Sequence, residues 1–198
     1  METPSTHDRI LEAALKVFSG HGYTGATTKA IAQEAGVNEV TLFRHFGNKQ
    51  QLFTEMISRY SALPHIEAAL ADNRSPFEKR LRDLAGRVMR LLEERRDLIA
   101  ILLAEGPRHP KQAKAILEGG PARILKRLTL FFEEAQKSGE IRGLDSQSTA
   151  RAFMGMFFFF VIFQKIMPGE KMFPVDPDRV EDAFIEILLR GLLPSDKK

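Results

Sequence analysis

Between residues 27 and 49 the chain gathers side chains that can grip a phosphodiester backbone and read base edges. Thr27, Thr28 and Lys29 come first, then Glu39, Val40, Thr41, Phe43, Arg44 and His45, and finally Lys49. Hydroxyls and cations suit phosphate oxygens. Arg44 can read guanine through two parallel hydrogen bonds, and Val40 can pack on a thymine methyl. Thr27 and Thr28 fall at a helix start, where free N–H groups and the positive dipole end favour phosphate. Lys29, one turn in, can reach a base edge or a phosphate. Glu39 has two readings. Its charge suits a helix N-terminus, and its carboxylate can accept from cytosine N4. Lys49 stands near a helix start, where a cation is mildly unfavourable, which points to an anionic partner. His45 reads as a backbone contact or a plain surface histidine, and Phe18 and Tyr23 read as core.

No other chemistry leaves a comparable signal. P-loop, His-Glu-x-x-His and Gly-x-Ser-x-Gly spacings are absent from the sequence. With no cysteine, a disulfide framework, a zinc–thiolate site and a cysteine nucleophile are excluded. The five histidines are scattered at 7, 21, 45, 65 and 109, with no carboxylate cluster. We therefore expect no enzyme, no metal and no cofactor. The net charge of +3 permits a nucleic-acid partner but does not argue for one. Residues 1–60 hold six basic and six acidic side chains, so the whole excess lies beyond them. The opening Met1–His7 lacks the basic and apolar regions of a signal peptide. The longest apolar run, Ala152–Phe163, is 12 residues, against about 20 for a membrane span. The expectation is a cytoplasmic protein with no membrane partner.

The elements that must position these residues are helices. Ile10, Leu11, Ala14, Leu15, Val17 and Phe18 share one helical face, ended by Gly20 and Gly22. Thr27 can cap a short helix carrying Ile31, Ala32 and Ala35, which Gly36 stops. Asn38 can cap a third helix with Leu42 and Phe46 inward, and Asn48 a fourth holding Leu52, Phe53, Met56 and Ile57. The second and third helices, joined by Gly36-Val37-Asn38, form a helix-turn-helix, whose second helix lies in the major groove. Farther on, Pro64 interrupts the pattern, and Ser75-Pro76-Phe77-Glu78 spells a capping box. Helical stretches follow near 97–105, 110–119, 121–139, 145–167 and 176–191. The fold class is all-α, with about nine helices and no internal repeat.

The run Met156-Phe157-Phe158-Phe159-Phe160-Val161-Ile162-Phe163 points apolar groups all the way round a helix. A helix of that kind near the end of a chain this long calls for a second subunit. The small-residue stripe Ser148, Ala152 and Gly155, continued by Phe159 and Ile162, is expected to face the partner. Phe153, Met156, Phe157, Phe160 and Gln164 are expected to face inward. The alternating Arg and acidic residues of 78–96 read as a solvated helix face with local ion pairs.

The order Phe18, Gly22-Tyr23, Thr27-Thr28, Ile31-Ala32, Ala35-Gly36-Val37, Thr41-Leu42-Phe43-Arg44-His45-Phe46, Lys49, Leu52-Phe53 closely resembles the DNA-binding head of the TetR family of transcriptional regulators. The resemblance is specific over about residues 8–57 and generic beyond them. It implies phosphate contacts from Thr41, His45 and Lys49, and base contacts from Lys29, Val40 and Arg44. The family usually has Tyr where this chain has Phe43, so one phosphate-seeking hydroxyl is lost. The resemblance also implies a DNA-binding domain over 1–57 and an effector-binding and dimerisation domain over 58–198. A homodimer on palindromic operator DNA follows, with Phe184, Ile187 and Leu188 of the last helix joining the interface. A small apolar or amphipathic effector is implied, in a pocket drawn from Met89, Leu102, Glu105, His109, Leu128, Phe131 and Phe132 with the inward stripe. The function expected is that of a ligand-responsive repressor; a lipid or small-molecule carrier without sequence-specific DNA binding is the alternative.

Overall fold

The computed structural model describes residues 4–194, so Met1–Thr3 of the opening segment lie outside the described residues. All regular structure among them is helical. In chain order the α-helices are α1 (Thr6–Gly25), α2 (Thr28–Glu34), α3 (Glu39–Phe46), α4 (Lys49–Arg59), α5 (Leu63–Ala69), α6 (Phe77–Glu94), α7 (Arg96–Glu105), α8 (Pro110–Gly119), α9 (Pro121–Lys137), α10 (Ser146–Val161), α11 (Gly169–Met172) and α12 (Pro177–Leu192). A π-helical turn, Ile162–Ile166, continues α10. The two helices absent from the sequence reading are short. Pro64 occupies the first turn of α5 and starts that helix instead of interrupting one.

The chain folds as two compact units. One comprises residues up to Ser61 together with Asp97–Gly119; the other comprises Ala62–Arg96 and the chain from Gly120 onward. The continuous stretch 1–57 is thus joined in its unit by α8 and nearly all of α7.

Local chemistry fixes the helix starts. Thr27 Oγ1 accepts from the Ala30 N–H at 3.1 Å, Asn38 Oδ1 from Thr41 at 2.7 Å and Asn48 Oδ1 from Gln51 at 2.9 Å. Asp145 caps α10 by accepting from Ser148 at 2.7 Å. Each such cap contributes about 1 kcal/mol. The capping box expected at Ser75 is not made. Pro76 takes the N-cap position without a side-chain cap, because Asp72 captures the preceding turn. Its Oδ1 accepts from Arg74 N at 2.9 Å and Ser75 N at 3.2 Å. The Ser75 hydroxyl and these N–H groups hold the Asp72 carboxyl down at about 2.

The first unit closes over Ile10, Leu11, Ala14, Phe18, Ile31, Leu42, Leu52 and Met56, all essentially inaccessible. Leu98 and Ile101 of α7 and Ile116 of α8 join this core. The second unit packs α6, α9, α10 and α12 around a ladder of rings. Phe77 stacks on Phe131 (5.6 Å between centroids); the contacts then run through Phe132, Phe153 and Phe157 to Phe184. Ser146–Ile166 spans 21 residues and by length and composition alone is apolar enough to cross a membrane, longer than the 12-residue apolar run suggested. Its Phe153 and Phe157 are fully buried in this unit's core, as a core helix requires.

Candidate nucleic-acid interface

The helix-turn-helix is held from behind. Leu42 and Phe46 of α3 are buried with Ile31 and Ala32 of α2, which leaves the opposite face of α3 outward. The turn between them relies on Gly36, whose φ of +66° only glycine adopts at little cost. Arg9 of α1 donates from Nη2 to the carbonyls of Ala35 (2.5 Å) and Gly36 (3.2 Å), clasping the end of α2. His7 stacks on Phe46 at 4.7 Å and lies 2.7 Å from Glu55, bracing α3 against α4 through α1.

On the outward face Val40 is 76% exposed and Phe43 is 42% exposed, with Arg44 and His45 exposed beside them. Thr41 is half-buried, and its N–H serves the Asn38 cap. Thr27 and Lys29 are exposed at the start of α2. The Thr27 oxygen is engaged in its cap, which leaves the hydroxyl proton free to donate. Thr28 differs. Its hydroxyl donates to Glu39 Oε1 at 2.5 Å, tying the first residue of α2 to the first residue of α3. Glu39 therefore has a partner that neither reading of the sequence named, and Thr28 has its only side-chain donor turned inward.

Lys49, the first residue of α4, is half-buried, and its Nζ lies 4.6 Å above the centre of the Tyr23 ring. Burial lowers the Lys49 pKa, and the Glu105 carboxylate opposes that shift. Tyr23 is pushed up by burial. Read from sequence as core, Tyr23 is also a platform for a cation, a role its residue type alone did not announce. The run Gly20-His21-Gly22-Tyr23-Thr24-Gly25 spells Gly-x-Gly-x-x-Gly, a spacing missed in the sequence reading. It ends a helix and follows no strand, so the context of a dinucleotide site is missing.

The residues expected to line an effector pocket fall in both units. Leu102, Glu105 and His109 line a small cavity within the first unit, with Tyr23, Phe53, Gly106, Ala113 and Ile116. Met89, Leu128, Phe131, Phe132, Phe153, Phe157 and Phe160 are buried in the core of the second, with Met156 packed half-buried against them. Gln164 is buried in the π-helical turn. Its Nε2 donates to the Phe173 carbonyl at 3.2 Å, while its Oε1 has no hydrogen-bond partner among the described residues.

In the second unit α10 presents Ser148, Ala152, Gly155 and Phe159 outward, Phe159 at 67% exposed, with Ile162 half-buried below. On α12 Ile187 is 60% exposed. Leu188 is buried, and Phe184 turns inward onto Phe157 and Phe160. The outward stripe of α12 is instead Ala183, Ile187 and Gly191.

Residues 10–56 match the family model described as bacterial regulatory proteins, tetR family. Residues 79–191 match that of the AefR-like transcriptional repressor, C-terminal domain. The chain is 26% identical to the HTH-type transcriptional regulator YvkB of Bacillus subtilis, covering 94% of this chain and 97% of that one. It is 32% identical to the HTH-type transcriptional regulator UidR of Escherichia coli, over 71% of each. The fold matches the crystal structure of a TetR-family transcriptional regulator from Mesorhizobium loti with a TM-score of 0.78 and 26% identity, covering 98% of this chain and all of that one.

Proposed function

The chain belongs to the TetR family of bacterial regulatory proteins, and from that premise we propose which of its residues read DNA, hold the dimer and receive the effector. It is a DNA-binding transcriptional regulator, and ligand-responsive repression is the mode typical of its family. Lys29, Val40 and Arg44 approach base edges in the major groove. Thr27, Thr41, His45 and Lys49 hold phosphates on either side. The observation that carries this reading is the split of α3: Leu42 and Phe46 lock it inward, while Val40, Phe43 and Arg44 stand exposed together. Glu39, through its bond to Thr28, fixes α2 against the start of α3, so that the two sets of contacts keep register.

The protein acts on DNA, and so in the cytoplasm, as a homodimer built on α10 and α12. The exposed stripe Ser148, Ala152, Gly155 and Phe159 lets helices approach closely, and Ile187 supplies a matching apolar face. Two copies of α3 then read the halves of a palindrome. The effector is an apolar or amphipathic molecule taken into the Phe-rich second unit. Gln164 Oε1, buried and unpaired, supplies a polar handle there. Binding shifts the dimer between populations that hold and release the operator.

The test is a gel shift on DNA upstream of its own gene, with and without candidate apolar ligands. A shifted band that competitor operator removes, and random DNA does not, is expected. Absence of any shift at low salt across genomic fragments would refute the reading.

A further inference from the structure

Glu105 is a buried carboxylate that the DNA contacts do not use. It ends α7 within the first unit and is 8% exposed. Among the described residues its Oε2 has no hydrogen-bond partner, and neither has the facing His109 Nε2, 3.5 Å away. Arg108 Nη1 lies 3.7 Å from Oε1, itself largely in solvent. A buried carboxylate without hydrogen bonds is costly, so its charge must be balanced by cations nearby. Glu105 and Tyr23 line one small cavity, Lys49 Nζ stands over the Tyr23 ring, and the Glu105 charge favours the Lys49 ammonium against burial. The chain makes room for this carboxylate. Gly22 breaks α1 with a φ of +66°, and a Cβ there would stand 2.7 Å from Glu105 Oε1. Tyr23 follows directly and lies under the Lys49 ammonium, its ring edge-on to Phe53 at 4.8 Å and His109 at 4.9 Å.

We propose that Glu105 is a positioning residue for Lys49: with the Tyr23 ring it forms a resting site that holds the ammonium in the free protein and gives it up to a phosphate on DNA. The proposal rests on the reading of Lys49 as a phosphate contact. An ammonium over a ring face in the field of a carboxylate is already stabilised, so reaching a phosphate means leaving both. The resting site therefore lowers affinity for every DNA sequence alike.

Two measurements test this. In operator titrations, Lys49→Gln weakens binding and lowers the salt slope by about one. Glu105→Gln tightens binding about threefold in the native background and has no effect once Lys49 is Gln. Unchanged affinity in Lys49→Gln would refute the phosphate contact. A weakened Lys49→Gln with Glu105→Gln neutral, weaker, or equally tighter in both backgrounds would refute the resting site alone. The second measurement needs no variant. Ring current from Tyr23 shifts the Lys49 ε-methylene proton resonances upfield in the free protein, and that shift disappears on operator binding. No shift in the free protein, or one that persists in the complex, overturns the proposal.

Discussion

Arg44 and Lys49 are cations of the same motif, yet they answer to different experiments. Arg44 stands exposed on the outward face of α3. If it reads guanine, Arg44→Ala loses roughly 1–3 kcal/mol at one base pair and little at others. A panel of single-base operator variants checks this, and equal loss on every sequence would reassign Arg44 to the backbone. Lys49→Ala weakens all sequences alike. The types and spacing of these residues were legible in the sequence because the motif places them by helical geometry alone. What stayed hidden were contacts that cross elements: the Thr28 hydroxyl on Glu39, and Lys49 over Tyr23. No spacing rule names them, since each depends on how two helices pack.

Turns and caps govern the elements. Gly36 sits at a φ of +66°, and a Cβ there would meet Arg9 Nη2 at 3.0 Å. Gly36→Ala is therefore expected to destabilise by about 1–2 kcal/mol, and Asn38→Ala by about 1 kcal/mol, both read by thermal unfolding. The caps at Thr27, Asn38 and Asn48 could be read from sequence because each acts within three residues of itself. The box at Ser75 failed because Asp72, three residues upstream, takes both the Ser75 N–H that Glu78 would have capped and the Ser75 hydroxyl. In the second unit Arg80 of α6, buried over Phe77 and Phe131, donates to Glu140 just beyond α9 at 2.6 Å. Burial raises the Glu140 pKa, but the hydrogen bonds from Arg80 and Ser138 outweigh it, and the net shift is downward. A lowered carboxyl pKa gives stability that is present above the unfolded-state pKa and lost as pH falls through the folded-state pKa. The melting-temperature gap between native protein and Glu140→Gln should thus narrow in acid. Glu181 of α12 behaves oppositely, since burial raises it. Its share is present in acid and lost as pH rises through its raised pKa, so Glu181→Gln should gain on native protein toward neutral pH.

At the scale of the whole molecule, charge and symmetry decide affinity. Residues 97–119 add three basic and three acidic side chains to the six of each in residues 1–60. The unit that carries α3 is therefore formally neutral. Such a unit gains little from counterion release on arbitrary DNA, and its affinity must come from placed contacts doubled by a dimer. Phe159→Glu or Ile187→Glu, each in an exposed stripe, should yield monomers in sedimentation and lose operator binding, with the helical spectrum retained. The exposure of the α10 stripe was legible in the sequence, whereas of the α12 residues expected at the interface Ile187 is exposed while Leu188 is buried and Phe184 packs on Phe157 and Phe160, contacts that depend on how α12 docks on α10. The most direct test of the central claim is an anisotropy titration at physiological salt, comparing a palindromic operator with the same DNA after one half-site is scrambled. Two protomers per palindrome and at least about a thousandfold preference over random sequence are expected. Equal binding to palindrome, half-site and random DNA would contradict it.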